Sequence, residues 1–184
     1  FLLMIKKIIT LSFLTLYAYS LLAQTPCING MSGGYPCENV EMLSFTAGDD
    51  LGGGGMNDIW GWVDPLDGTE YVILGRTNGT AFIDISDPIN PIYIGNLPTE
   101  TSSSTWRDIK VHNNHAFIVS EANGHGMQVF NLTSLSEITT PPVEFEADYI
   151  YTGWSNAHNI VINESTARAY GVGTNTFEGG LHIL

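Results

Sequence analysis

WRDIKVHNNHAFIVSEANGHGMQVFNL, residues 106–132, decides the fold. Three short runs rich in Val, Ile and Phe (108–112, 115–120 and 127–132) are separated by Asn113-Asn114 and by a loop through Gly124. Branched and aromatic side chains suit a pleated, half-buried surface, and paired asparagines accept the positive φ of a two-residue hairpin turn. The segment therefore predicts strands A, B and C of an antiparallel meander. After the Pro141-Pro142 break, residues 143–147 predict strand D of the same unit.

Working outward, the segment proves to be one of three. Asp58-Ile59, Asp108-Ile109 and Asn159-Ile160 each open an apolar run, about fifty positions apart, and GTAFIDI, GMQVFNL and GLHIL follow downstream of each. A period of that size, in units too small to bury their own faces, is characteristic of radial β arrays. The fold class expected is all-β: a partial β-propeller of about three four-stranded blades over residues 56–184, the last one truncated. The chain ends at Leu184 inside strand C of the third unit, so a longer reading frame is expected. A lone strand at 40–45 is expected to help close such a ring.

The segment before the repeats has its own signals. Met4, Lys6-Lys7, the apolar run 8–22 and the small Ala23 predict a secretory signal peptide over residues 1–23, with residues 1–3 as upstream read-through. The run is short for a bilayer-spanning helix, so no membrane span is expected in the mature chain. Residues 24–55 form an N-terminal segment with one strand and a Gly-rich loop, GDDLGGGG, that lacks the Lys-Ser/Thr of a phosphate loop and reads as a linker. Cys27 and Cys37 are the only cysteines; in an exported chain they predict a disulfide, since a zinc site would need two further ligands nearby.

With 19 acidic and 6 basic residues the net charge is −13, and removal of Lys6 and Lys7 deepens it. Such a chain repels phosphate backbones and anionic lipid, which argues against nucleic acid as a partner and leaves an extracellular or surface protein or glycan.

The stretch GTAFIDISDPINPIYIG (79–95) resembles the LVIVD repeat: a glycine, a β run ending in Asp, Ser-Asp-Pro, a second Pro and a final strand. Together with NDIWGW, SSTWRDIKV, HAFIVSEANGHGMQVFNL and NAHNIVIN, in that order and spacing, the chain from about residue 26 onward resembles the choice-of-anchor B family of secreted bacterial proteins. The resemblance implies a propeller-like fold, export, and C-terminal anchoring devices that differ between members. It implies no established enzymatic activity and no residues of known role.

In propeller geometry, residues opening each strand A share one channel mouth with the B-to-C loops. Asp58, Asp108 and His158-Asn159 form the first set, and Asn78, Glu121, His125, Asn175 and Glu178 the second. Carboxylate oxygens suit hard divalent cations and imidazole suits transition metals, so Asp58, Asp108, His125 and His158 are the candidate ligands of a divalent cation. The competing expectation is that polar residues at these positions hydrogen-bond the backbone of the neighbouring unit. Arg107 is expected to pair with an acidic neighbour. The tryptophans Trp60, Trp62, Trp106 and Trp154 are expected to pack between units rather than to stack on sugars. No nucleophile elbow is present, so no catalytic residue is assigned; a metal-dependent hydrolase or lyase at the channel mouth stands as the alternative to a non-enzymatic module.

Overall fold

A computed structural model describes residues 25–184; the expected signal peptide lies outside the described residues. The chain divides into two units. One comprises the described residues 25–45 with Pro88–Asn90, the other Thr46–Asp87 with Pro91–Leu184. Among the described residues no helix is long and apolar enough to cross a membrane.

The small unit holds a hairpin of β1 (Met31–Ser32) and β2 (Tyr35–Pro36), within the loop closed by the Cys27–Cys37 disulfide. Closing so short a loop restricts the unfolded chain and contributes on the order of 2–3 kcal/mol. The strand expected over 40–45 is not formed: only Met42 pairs, by an isolated bridge to Thr25, while Val40 and Phe45 are more than 60% exposed. The run has the composition of a strand, but only a single residue finds a pairing edge. Ring closure by this segment accordingly has no strand to rest on.

The large unit is all-β, in three sheets, none closed. The first contains β3 (Met56–Val63), β4 (Glu70–Arg76), β5 (Gly79–Asp84) and β6 (Ile92–Pro98) as an antiparallel meander. The second contains β7 (Arg107–His112), β8 (His115–Ser120) and β9 (Met127–Asn131), joined at β7–β8 by Asn113 and Asn114 with φ of 48° and 61°. The two left-handed asparagines match the expected turn.

Residues 143–147 depart from expectation. Instead of completing the second sheet, β10 (Val143–Glu144) runs parallel to β6 at the edge of the first, making that sheet five-stranded. Gly95 permits it, because a Cβ there would run into the Val143 carbonyl. The edge of β9 is taken instead by β11 (Tyr149–Tyr151), antiparallel. Asp148 fixes this crossing: its N–H donates to the Val129 carbonyl at 2.9 Å and its carboxylate accepts the Asn131 N–H at 2.6 Å. The third sheet is β12 (Asn159–Asn163), β13 (Arg168–Val172) and β14 (His182–Ile183).

Alternation along the strands gives each sheet two faces. One face of the second sheet (Ile109, Ala116, Ile118, Phe130) closes on Trp62, Tyr71, Ile73 and Phe82 of the first. Its other face (Val119, Met127, with Phe117 and Val129) closes on Trp154, Ala157 and Ile160 at the third. Phe145, from the segment that crosses between sheets, completes a ring cluster with Phe82 and Phe130 at centroid separations of 4.7–5.5 Å. The opening strands β3, β7 and β12 lie in succession, β7 touching both others.

Candidate functional site

Two carboxylates at the openings of β3 and β7 do the same thing. Asp58 Oδ2 accepts the backbone N–H of Ile109 at 2.7 Å, and Asp108 Oδ2 accepts that of Ile160 at 2.7 Å. Each acceptor is the first residue of an Asp-Ile pair, and each donor is the Ile of the next Asp/Asn-Ile pair. Asn159, the third member, donates Nδ2 to Asp108 Oδ2 at 3.3 Å. An opening strand at a sheet edge directs alternate N–H groups away from its own sheet, and a buried donor left unpaired costs about 1–3 kcal/mol. The repeated aspartate satisfies that donor on the following sheet, which explains both its recurrence and its spacing.

Burial raises the Asp58 pKa above the ordinary carboxylate range, opposed by the Ile109 and Ile59 N–H groups. Asp108 also pairs with Lys110, whose Nζ lies 4.6 Å from the Trp60 ring centroid. The His158 imidazole lies against the Glu121 carboxylate in the same way that Lys110 lies against Asp108.

His125 is fully buried. Its Nε2 meets Arg107 Nη1 at 2.9 Å, and with Arg107 able only to donate, the imidazole must be neutral there and accept. Burial, and then the Arg107 charge, depress its pKa to about 4. Arg107 Nε donates to the Arg76 carbonyl at 2.7 Å, and no carboxylate pairs with it; the expected Arg107 salt bridge is therefore corrected to a bond network of backbone and imidazole. The residue is 4% exposed, and acids elsewhere on the surface cannot reach it. Burial, with the Arg76 charge adding to it, lowers its pKa to about 10.

Arg76 is the second guanidinium sequestered from water. Its Nη1 donates to the carbonyls of Leu51 at 2.5 Å and Gly53 at 3.1 Å, and its Nη2 to Asn96. Asn78 Nδ2 adds a bond to the Gly52 carbonyl at 3.2 Å. The glycine loop is thus not a free linker. Gly52, Gly53 and Gly54 take φ of 87°, 69° and 83°, a conformation open to three successive residues only when they lack Cβ, and this presents the Gly53 carbonyl to the buried Arg76 and the Gly52 carbonyl to Asn78.

His158 and Glu121, expected at one mouth from different sets, do meet: His158 Nδ1 lies 2.5 Å from Glu121 Oε1. The pair is exposed, beside Trp106, whose ring centroid is 6.2 Å from the imidazole. The tryptophans divide. Trp62 and Trp154 are buried as expected, whereas Trp60 and Trp106 are 39% and 53% exposed and do not fill a core. His112 and His115 oppose each other across the Asn-Asn turn, and His182 packs against Trp154 at 5.0 Å with bonds to Tyr151 and Thr176. Asn175 Oδ1 accepts the Ser155 N–H at 2.6 Å, and Glu178 sits in a left-handed turn.

The four candidate ligands Asp58, Asp108, His125 and His158 therefore have separate engagements. Among the described residues no three His, Cys, Asp or Glu side chains form a group that could hold a metal ion. Sequence reasoning missed Arg76 and its hold on the loop; the only available signal was an arginine closing an otherwise apolar strand, EYVILGR. Comparison with family models, with curated proteins and with solved structures gave no match.

Proposed function

We propose that this chain is an exported, non-enzymatic β-propeller module of the choice-of-anchor B type, binding or scaffolding at the cell surface or outside it. One observation carries the non-enzymatic part: the repeated aspartates, the best candidates for chemistry, each bond a backbone N–H of the following sheet. A carboxylate engaged in holding two sheets together is scaffold. Three further features support the propeller part: successive meanders, opening strands in sequence, and hydrophobic cores between sheets. The acidic charge and the disulfide suit an extracellular setting.

Calorimetric titration of the chain with Ca²⁺ and with Zn²⁺ tests this function against its alternative, a metal-dependent hydrolase or lyase. The expected result is no saturable heat that depends on Asp108 and His158. Saturable binding abolished by Asp108→Asn and by His158→Ala would instead establish a metal centre. Asn at position 108 keeps an acceptor for Ile160, so its effect would report on the metal rather than on folding.

A further inference from the structure

The segment that leaves the first sheet for the second borders an open cavity between them. At its start the Phe145 N–H donates to the Asn96 carbonyl at 2.8 Å, and at its end Ile150 pairs with Gln128 on β9, so residues 145–150 bridge β6 to β9. The Gln128 side chain spans the same gap, its Nε2 donating to the Pro98 carbonyl at 2.9 Å. The space left is about 280 Å³, just below the range of drug-sized sites and suited to something the size of one side chain. Its lining divides by chemistry. Leu97, Phe145, Ala147 and Ile150 supply apolar surface, and Glu100 and Glu146 are exposed carboxylates. Gln128 is 1% exposed, and its Oε1 is buried without a hydrogen-bond partner, a costly state for an acceptor. The side-chain donors are already engaged: Gln128 Nε2 on Pro98, and the Thr99 hydroxyl on the Ser102 carbonyl at 3.4 Å. A ligand therefore meets acceptors, two of them charged, beside an apolar wall.

We infer that this cavity binds an alkylammonium group, with the cationic head toward Gln128, Glu100 and Glu146 and the methylene stem on the apolar wall. An anion is repelled by both carboxylates and by a chain of net charge −13. A calcium ion takes six to eight oxygen ligands and gains nothing from apolar walls. A neutral apolar ligand leaves the Gln128 oxygen orphaned. A guanidinium pairs best with coplanar acceptors, whereas an ammonium turns its three donors separately, and here the acceptors come from three elements: the β6–β7 connection, β9 and the crossing segment. The inference rests on the binding-module reading and gives it a ligand class. The ammonium comes either from a free small amine or from a lysine side chain of a partner protein.

Titration of the ¹⁵N-labelled full chain with n-butylammonium chloride, n-butanol and calcium chloride, followed by NMR, tests it. The expected result is saturable shifts at the Gln128 side-chain amide and at the Ala147 and Ile150 backbone amides, with n-butanol binding about tenfold or more weaker. Equal binding of n-butanol would show a merely apolar pocket and overturn the inference. No saturable shift at these amides would mean that the cavity holds only water, and would also overturn it. Displacement of the amine by Ca²⁺ at lower concentration would overturn it in favour of a metal. A capped Gly-Lys-Gly peptide that binds as tightly as n-butylammonium identifies a partner's lysine as the source; binding of the free amine alone identifies a small amine. Both support the site.

Glu100→Gln and Glu146→Gln change exposed side chains without changing their shape, so the sheets should be retained. Each should weaken n-butylammonium binding by about two- to fivefold. Unchanged affinity in the double variant would overturn the inference. Gln128→Leu removes the buried acceptor and should weaken binding by about tenfold. If that variant fails to fold, because Pro98 loses its donor, the glutamate pair still decides. Recovery of the amine unchanged agrees with a binding module. Consumption of the amine at a rate that falls in the double glutamate variant would support the site and overturn the non-enzymatic reading.

Discussion

Asp58 shows how a residue with the appearance of a ligand is used as a structural acceptor. Its partner is the Ile109 N–H, and the third repeat uses an amide, Asn159, at the same position. Asp58→Asn should preserve the bond and remove the cost of a half-buried charge, leaving stability within about 1 kcal/mol of the parent or above it. Asp58→Ala orphans the amide and should cost about 1–3 kcal/mol. Chemical denaturation of both variants decides this; equal loss in both would mean that the charge, rather than the acceptor, matters. The sign of the pH effect follows from the raised pKa. The contribution of Asp58 is present below the ordinary carboxylate range and is lost as pH rises through its folded value, so any advantage of Asn grows with pH. His125 behaves oppositely. Its pKa is depressed to about 4, so the stability of the neutral imidazole is present above its ordinary value near 6.5 and is lost as pH falls toward 4. The loss should reach roughly 3 kcal/mol, and His125→Gln should flatten that limb of the melting-temperature profile between pH 7 and 4. An unchanged limb would assign acid sensitivity to other groups.

At the scale of elements, the antiparallel meanders were legible in the sequence because their signals are local. Alternating Val, Ile and Phe set the strands, and Asn113-Asn114 set the turn that the structure shows. The fate of 143–147 was not legible, since it depends on Gly95 leaving room for the Val143 carbonyl some fifty residues away in the chain. The same limit explains the glycine loop. Its composition indicates freedom, while its order comes from Arg76, whose guanidinium reaches back to Leu51 and Gly53. Of the candidate site, the repeated Asp positions and the convergence of Glu121 with His158 were legible; the partners of Asp58, Asp108 and His125 were not, because each lies on another element. Arg76→Met should leave β4 paired but free the loop. Hydrogen exchange should then accelerate at Gly53, whose N–H donates to the Gly48 carbonyl at 2.9 Å, while the β4–β5 amides keep their protection. Unaltered exchange at Gly53 would show that the loop holds itself.

For the large unit as a whole, stability should be graded by how many faces of each sheet are covered. The second sheet is packed on both faces, by the cluster around Ile118 and Phe130 and by that around Val119 and Met127. The first is packed on one face by the second sheet and on the other by a smaller cluster of Leu51, Ala81 and Ile83. The third is covered on one face, through Ile160, and leaves Val161 and Ile183 exposed on the other. Burial of apolar area stabilises at roughly 25 cal/mol per Å², so a sheet with one bare face has less to lose on opening. Native-state hydrogen exchange should therefore rank protection with β7–β9 highest, β3–β6 next and β12–β14 lowest. The ranking also separates two ways of unfolding. In a nearest-neighbour array the end sheet opens alone and the Asp108–Ile160 bond breaks first. In a single cooperative unit all three sheets would exchange at one free energy, and the graded account would fail.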